Sequence, residues 1–338
     1  MASIKEVAAL AGVNRSTVSR IINGEGSFRA DTKRKVEKAM AELDYRPSAI
    51  ARSLAKSNSN MIGLMVTYYT GGFFGQMMNQ VQLELDEQQK FLITAQGHHS
   101  SEGERKAVEK FRDLRCDGFI LHSRYLSDEE LLKLSQSKTP FVLLDRTVIG
   151  LEDKCVVFDH LRASELATSY LLDHGHRRIA CIGGPTMRHS SQVRVEGFKQ
   201  AMQARNLEIP PEYIAVGDYE LESGYEAMKQ LMALSEKPTA IFSTGEEMTR
   251  GVMKYCYEHG IRCPDDISIV SYDSVNSCRG LFPHVTTVDF PITQMAHKAV
   301  QLLVSQIDAG YSAPDKRYLE ATIQQGNSVK RISESFQN

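Results

Sequence analysis

The chain has 338 residues, and its 40 Lys and Arg nearly balance 42 Asp and Glu, for a formal net charge of −2. The balance hides a division: residues 1–60 hold 11 basic against 6 acidic side chains, a net of +5, and the remainder holds 29 against 36, a net of −7. A basic head on an acidic body is the footprint of a chain of which only the head meets phosphate. The length suggests two or three domains of roughly 100–200 residues each, and 42% hydrophobic residues exclude a disordered chain. No apolar run approaches the ~18 residues of a membrane span, and no signal-peptide pattern opens the chain, so a cytoplasmic location is expected. Six cysteines without a C-x-x-C spacing give neither a zinc site nor a disulfide framework.

Ser3 to Asn23 reads as two short helices and a tight turn. Ser3 and Glu6 have capping-box spacing, and Ile4, Val7, Ala8 and Ala11 form one apolar stripe. Gly12 ends the helix, and Asn14 is placed to cap the next, Arg15 to Ile22, whose Val18, Ile21 and Ile22 face inward. Its first turn carries Arg15, Ser16 and Thr17, donors that a second helix of this kind presents to base edges in the major groove. A plain helical hairpin has the same caps. Three features favour DNA binding: the N-terminal position, the local positive charge, and a third amphipathic helix over Asp31–Leu43 that closes a small core.

Pro47 then opens a two-turn helix, Ser48–Ala55, which is too short to be stable alone and should order only against a partner. From Met61 short apolar runs alternate with helical stretches. The runs are 62–66, 91–94, 118–121, 141–144 and 155–158, then 179–182, 213–216, 240–243 and 267–270. Helices are expected near 76–88, 102–114, 128–136, 162–174, 193–205, 222–232 and 248–259. Continuously apolar strands between helices mean parallel sheets covered on both faces, and two such series mean two doubly wound subdomains. The expected class is therefore α/β, an all-α headpiece before two parallel-sheet subdomains. Neither a G-x-G-x-x-G nor a G-x-x-x-x-G-K-[ST] occurs, so no nucleotide cofactor is implied.

Ligands of doubly wound sheets bind beyond the carboxyl ends of the strands. The residues there are Tyr68, Phe73, Phe74, His98, His99, His122, Arg124, Asp145, Arg146, Asp159, Gln192, Arg194, Tyr219, Glu246 and Asp273. Aromatic faces mixed with guanidinium and carboxylate groups suit a sugar, whose hydroxyls donate and accept while its C–H face lies on a ring. Each residue also has a plainer role available, such as a helix cap or a local ion pair. The carboxylates could also serve a sugar-acting enzyme, although Asp145, Asp159 and Asp273 are too far apart in sequence to imply a paired geometry.

The run Ile4-Lys5-Glu6-Val7-Ala8, Ala11-Gly12-Val13, Thr17-Val18-Ser19-Arg20 and Asn23, followed by Tyr45-Arg46-Pro47 and Ala51-Arg52-Ser53-Leu54, closely resembles the LacI/GalR family of bacterial transcriptional regulators. The resemblance continues to residue 330. Phe74-Gly75, Glu104-Arg105-Lys106-Ala107 and Arg115-Cys116-Asp117 look most like the galactose and β-glucoside repressor branch. It implies a headpiece over 1–46, a hinge helix and linker over 47–60, and a periplasmic-binding-protein-like core over 61–330. Within that core 61–160 with 290–330 would form one subdomain and 161–289 the other, and a tail of 331–338 would follow. The final helix (about Thr293–Ile307) and Tyr318–Gln324 would return to the first subdomain.

By the same resemblance Arg15 and Ser16 read bases, with Arg20 beside them helping to place the helix. Ser3, Thr17, Ser19, Asn23, Thr32 and Tyr45 hold phosphate, and Ala51, Arg52 and Leu54 meet the minor groove, with Leu54 as the wedge. In the core, Arg194 and Asp273 match effector-binding motifs (Val193-Arg194-Val195-Glu196-Gly197 and Ser271-Tyr272-Asp273), joined by Tyr68, Phe73, Phe74, Arg146, Gln192, Tyr219 and Glu246. The expected partners are operator DNA, a second copy of the chain and a small-molecule effector, with no catalysis, metal or cofactor. Seven residues after Arg331 cannot supply the heptads of a tetramerising coiled coil, so a dimer is expected. Two departures stand out. Gly245-Glu246 replaces the family's usual Asn-Asp, which removes one expected sugar contact, and Gly71-Gly72 replaces a common Pro. A co-repressor, even a purine, is the alternative to a sugar inducer. A periplasmic sugar-binding protein would lack the headpiece and carry a signal peptide.

Overall fold

The structure is a computed structural model that describes residues 2–23, 25–45, 59–273, 277–308 and 318–332. The hinge expectation, with Ala51, Arg52 and Leu54, lies outside the described residues. Contacts divide the chain into a small unit, Met1–Met61 with Asp113–Asp117, and a large one, Ile62–Arg112 with Gly118–Asn338.

Among the described residues the small unit contains three helices. The first (α1, Ile4–Ala11) starts at the expected capping box: the Glu6 amide donates to Ser3 Oγ at 3.4 Å, and the Ser3 amide to Glu6 Oε2 at 2.7 Å. Gly12 ends it in the left-handed conformation, φ 67°, where a side chain would be strained. The Asn14 carbonyl accepts from the Thr17 and Val18 amides as the second helix (α2, Arg15–Asn23) begins. A third (α3, Ala30–Glu42) lies against α1 and α2, and Val7, Ala8, Ala11, Val18, Val36 and Ala39 make the buried centre.

The large unit holds two six-stranded sheets. In the first lobe the chain runs β1 (Met61–Val66), α4 (Gly72–Glu87), β2 (Phe91–Gln96), α5 (Ser101–Asp113), β3 (Gly118–Leu121), α6 (Asp128–Ser135), β4 (Phe141–Leu144) and β5 (Cys155–Phe158). The second lobe follows as α7 (His160–Asp173), β6 (Ile179–Gly183), α8 (His189–Gln203), β7 (Ile214–Val216), α9 (Leu221–Met232), β8 (Ala240–Ser243), α10 (Glu246–Glu258), β9 (Ser268–Asp273) and β10 (Thr286–Asp289). A long helix, α11 (Ile292–Ile307), packs back on β3, β4 and β5, and two short strands complete the sheets, β11 (Tyr318–Leu319) and β12 (Thr322–Gln324). The strand orders are β11-β5-β4-β3-β1-β2 and β12-β10-β9-β8-β6-β7. Both are doubly wound, with their switch points at β1/β3 and β6/β8. Pairing is parallel wherever register is defined, except for β12 against β10.

One expectation is corrected here. Tyr318–Gln324 does not return wholly to the first lobe: β11 pairs with β5, but β12 pairs with β10 of the second sheet. The segment after it stays there, since Ser328 Oγ donates to the Ile269 carbonyl at 2.5 Å and accepts from the Thr286 amide at 2.8 Å. The strand β10 was not expected either, because Thr286 and Thr287 break the apolar pattern; both are buried and hydrogen-bonded in the ladder. The described chain thus crosses between lobes at 158–160, 289–292 and 319–322. Among the described residues no helix is long and apolar enough to cross a membrane.

Candidate functional site

In the small unit, the first turn of α2 presents Arg15 and Ser16 exposed. Arg20 is exposed too, but its guanidinium lies over the Phe28 ring at 5.4 Å, so it braces the loop after α2. Ser3 is exposed, and Thr17, Ser19, Asn23, Thr32 and Tyr45 are half-buried.

In the large unit, a cavity of about 440 Å³ lies where the carboxyl ends of the two sheets face each other. Its first-lobe wall is aromatic. Phe73 and Phe74, in the first turn of α4, meet edge to face at 4.9 Å; Phe73 stacks on Phe290 at 5.2 Å and Tyr68 lies 5.5 Å from Phe74. The helix starts at Gly72, four residues before the expected position, and that turn aims both rings into the cavity.

Across the floor runs a chain of polar groups that joins the lobes. Asp145, at the end of β4, accepts from the Arg124 guanidinium and from His160 Nε2 at 2.7 Å. His160 Nδ1 accepts from the Tyr272 hydroxyl at 2.5 Å and from Arg194 Nε at 3.3 Å. A neutral imidazole protonated at Nε2 donates to Asp145 and offers the Nδ1 lone pair chiefly to Tyr272, with the longer Arg194 contact sharing it. Burial favours that form by pushing the His160 pKa down, against the pull of Asp145. Burial would raise the Asp145 carboxyl, but His160 and Arg124 outweigh it and hold the carboxyl far below the usual carboxylate range. His122, buried and edge-on to Phe73 and Phe74, is pushed well down by burial and then by Arg124. Arg194 donates to the Thr244 carbonyl at 2.8 Å and stacks over Tyr272 at 4.0 Å.

A buried carboxylate shields the base of this wall from behind. Glu104 accepts from Ser123 Oγ at 2.6 Å and from the amides of Arg124, Tyr125 and Leu126 at 2.7, 3.1 and 2.9 Å. It therefore fixes the loop that carries Arg124.

Tyr68, Phe73, Phe74, Arg194, Tyr219 and Glu246 all line the cavity, as do His122, Arg124 and Asp145 from the wider strand-end set. Two expected contacts do not. Arg146 points away, with Nη1 donating to the Leu126 carbonyl at 2.8 Å and Nη2 to Asp128 at 2.6 Å. Gln192 is exposed and donates back to the Thr186 carbonyl at 2.7 Å. Asp145 lies just past β4 in a left-handed turn, φ 55°, and the chain leaving that turn carries Arg146 away from the cavity. Asp159 caps α7, accepting from the Arg162 amide at 2.9 Å. The Asp273 backbone ends β9, and its side chain lies outside what is described.

Sequence reading missed Arg188, His160 and Phe290. Arg188 reaches from the second lobe to Tyr68 and Tyr125 of the first; burial works against its charge, but the hydrogen bonds to those two hydroxyls outweigh it. The signal was present. With α8 starting at His189, Arg188, Ser191 and Arg194 fall three apart on one face, while Gln192 faces out. Among the described residues, no group of three or more His, Cys, Asp or Glu is placed to hold a metal ion. Asp145, held ionised by two partners, is not poised for proton transfer.

Residues 3–48 match the family model of bacterial regulatory proteins of the lacI family, and residues 168–329 match the periplasmic binding protein-like domain. The ribose operon repressor of Escherichia coli K12 is 32% identical over 309 residues, 91% of this chain and 93% of that one. The crystal structure of the lac repressor dimer bound to operator and the anti-inducer ONPF superposes with a TM-score of 0.86 at 25% identity, over 97% of this chain and 99% of that one. The transcriptional regulator CelR in complex with cellobiose gives a TM-score of 0.71 at 27% identity, over 97% of this chain and 100% of that one.

Proposed function

This chain belongs to the LacI family of small-molecule-responsive bacterial transcriptional regulators, and from that premise we propose that it is a repressor released from its operator by an uncharged sugar. The observation that carries the reading is the union, in one chain, of an exposed Arg15–Ser16 helix start and a two-lobed cavity with an aromatic wall. Two copies about a two-fold axis would set two α2 helices into successive major grooves of a pseudo-palindromic site. Arg15 paired with a guanine discriminates by about 1–3 kcal/mol, whereas Ser3, Thr17, Ser19, Asn23, Thr32 and Tyr45 set position through phosphate. Leu54 would wedge into the minor groove between the half-sites, with Ala51 and Arg52 beside it.

The composition of the cavity supports a neutral, amphipathic ligand. Three cationic side chains (Arg124, Arg188 and Arg194) meet four anionic ones (Asp145, Glu220, Glu246 and Glu247), so a phosphosugar would gain no net attraction. The wall of Tyr68, Phe73 and Phe74 suits a C–H face. A galactoside or β-glucoside is the class we favour, on the branch that the sequence most resembles. A ligand that prefers one lobe arrangement shifts the equilibrium by its differential affinity, typically 1–3 kcal/mol of coupling.

The test is fluorescence anisotropy on DNA upstream of the protein's own gene, across salt and with a panel of galactosides, β-glucosides and phosphosugars. Tight, salt-steep binding released by a neutral sugar is the expected result. Release by phosphosugars alone would overturn the ligand class, and tightening by a ligand would make this a co-repressor system. No sequence-selective binding would overturn the whole reading. Leu54→Ala should weaken operator binding far more than non-specific binding; equal losses would remove the wedge role.

A further inference from the structure

Two glycines frame Tyr219. A Cβ built on Gly184 would lie 2.2 Å from Tyr219 Cζ and 2.5 Å from its hydroxyl oxygen, and one built on Gly245 would lie 2.8 Å from Tyr219 Cδ1. Real Cβ atoms do not approach that closely, so the ring occupies space that any other residue at either position would claim. Its hydroxyl is held by Ser191 Oγ at 2.8 Å, and the guanidinium groups of Arg188 and Arg194 each lie 5.6 Å from the ring centre. The backbone of Tyr219 is bent to match, with φ at 74°, a left-handed conformation that costs an aromatic residue on the order of 1–3 kcal/mol. Such strain persists only where the surroundings over-determine the position.

Gly245 has no backbone need to be glycine. Its φ is −157°, extended and open to any residue, and it caps α10 without a side-chain hydrogen bond. Asn there would be at least as good a helix cap. The one steric demand for glycine at this position is the ring of Tyr219, apart from the flexible tip of Met248 at 3.1 Å.

We propose that Gly184 and Gly245 form a slot for the Tyr219 ring, and that Gly245 is a specificity-determining residue because it lets this ring, in place of a polar side chain, form the second-lobe wall of the cavity. The wall then offers an aromatic ring whose hydroxyl already spends one hydrogen bond on Ser191, so it favours a ligand that turns C–H groups toward it. The specificity part rests on the reading of this cavity as the effector site; the slot itself does not.

The experiment is a double-mutant cycle in the full-length protein with Gly245→Ala, Gly245→Asn and Tyr219→Ala. Thermal unfolding is measured without ligand, and calorimetric titration uses methyl β-D-glucopyranoside, methyl β-D-galactopyranoside and cellobiose. Gly245→Ala should lower Tm by about 3 °C or more, and the loss should shrink to within about 1 °C in the Tyr219→Ala background, where the new methyl meets no ring. Gly245→Asn should weaken the best probe at least tenfold and change the rank order of the three. A Gly245→Ala loss that is absent, or equal in both backgrounds, overturns the slot. Coupling in Tm with unchanged affinity and rank order overturns the specificity role. Failure of all three probes to bind the wild type counts against this choice of effector, and the slot is still decided by Tm.

Discussion

Asp145 is the group on which the link between the lobes depends. Its side chain is 3% exposed and accepts from Arg124 of the first lobe and from His160, which Tyr272 and Arg194 of the second lobe hold in turn. Asp145→Ala leaves the Arg124 guanidinium facing the cavity without its counter-charge. Removing one partner of a buried pair costs about 3–5 kcal/mol. Arg124 is 19% exposed and keeps the Asp145 main-chain carbonyl at 2.6 Å, so the low end applies, about 3 kcal/mol. Asp145→Asn keeps the shape, but its single oxygen serves only one of the two donors and its NH2 faces the other, so it should cost about as much as Ala, about 3 kcal/mol. Urea unfolding at pH 7, followed by circular dichroism, measures both. The pair also stabilises in a pH-dependent way. The folded pKa lies below the unfolded value of about 3.8, so its contribution is complete above that value and is lost as pH falls below it. An Ala or Asn variant within about 0.5 kcal/mol of wild type would refute the network.

Arg194→Lys keeps the charge but loses the planar fork that meets Thr244, His160 and the Tyr272 face, so effector affinity by calorimetry should fall at least tenfold. Operator affinity by anisotropy should not change; a lysine that binds effector as well as arginine would remove this role. Glu104→Gln replaces an acceptor-only group that holds three amides and a hydroxyl, and should cost about 1–3 kcal/mol in urea. A neutral result would mean the Arg124 loop is held by other contacts. His176 is 1% exposed, and burial, with the Lys330 carbonyl opposing it, pushes its pKa to about 4 from 6.5. Between those values the unfolded chain binds a proton that the folded chain excludes. Stability should therefore fall by up to about 3 kcal/mol as pH drops from 6.5 to 4, at about 1.4 kcal/mol per unit. His176→Asn should flatten that part of the pH profile, and an unchanged slope would contradict the assignment.

Much of this architecture is local chemistry and could be read from the residues. The Ser3–Glu6 box, Gly12 and the Val7, Ala8, Ala11 stripe specify the headpiece helices within one or two positions. The continuous apolar runs marked β1 to β9, and with them the strand ends that line the cavity. What stayed hidden depended on partners distant in sequence. Buried Thr286 and Thr287 look like loop residues until the ladder satisfies their backbone. The crossing of 319–322 follows from which edge is free, and no local pattern records that. Asp145 stands beside Arg146 in sequence yet pairs with Arg124 and His160, because the left-handed turn at Asp145 sends the two side chains to different partners. Gly245 reads as a lost contact in the sequence; in the structure its missing side chain makes room for Tyr219.

In the proposed function, occupancy of the cavity and binding of DNA are one coupled equilibrium. Linkage makes it testable from the ligand's side. The dissociation constant of a releasing sugar would be measured by calorimetry on the free protein and again on the protein saturated with its operator duplex. Sugar binding to the DNA complex should be weaker, by the same factor that the sugar weakens operator affinity. Equal sugar affinity with and without operator would contradict it.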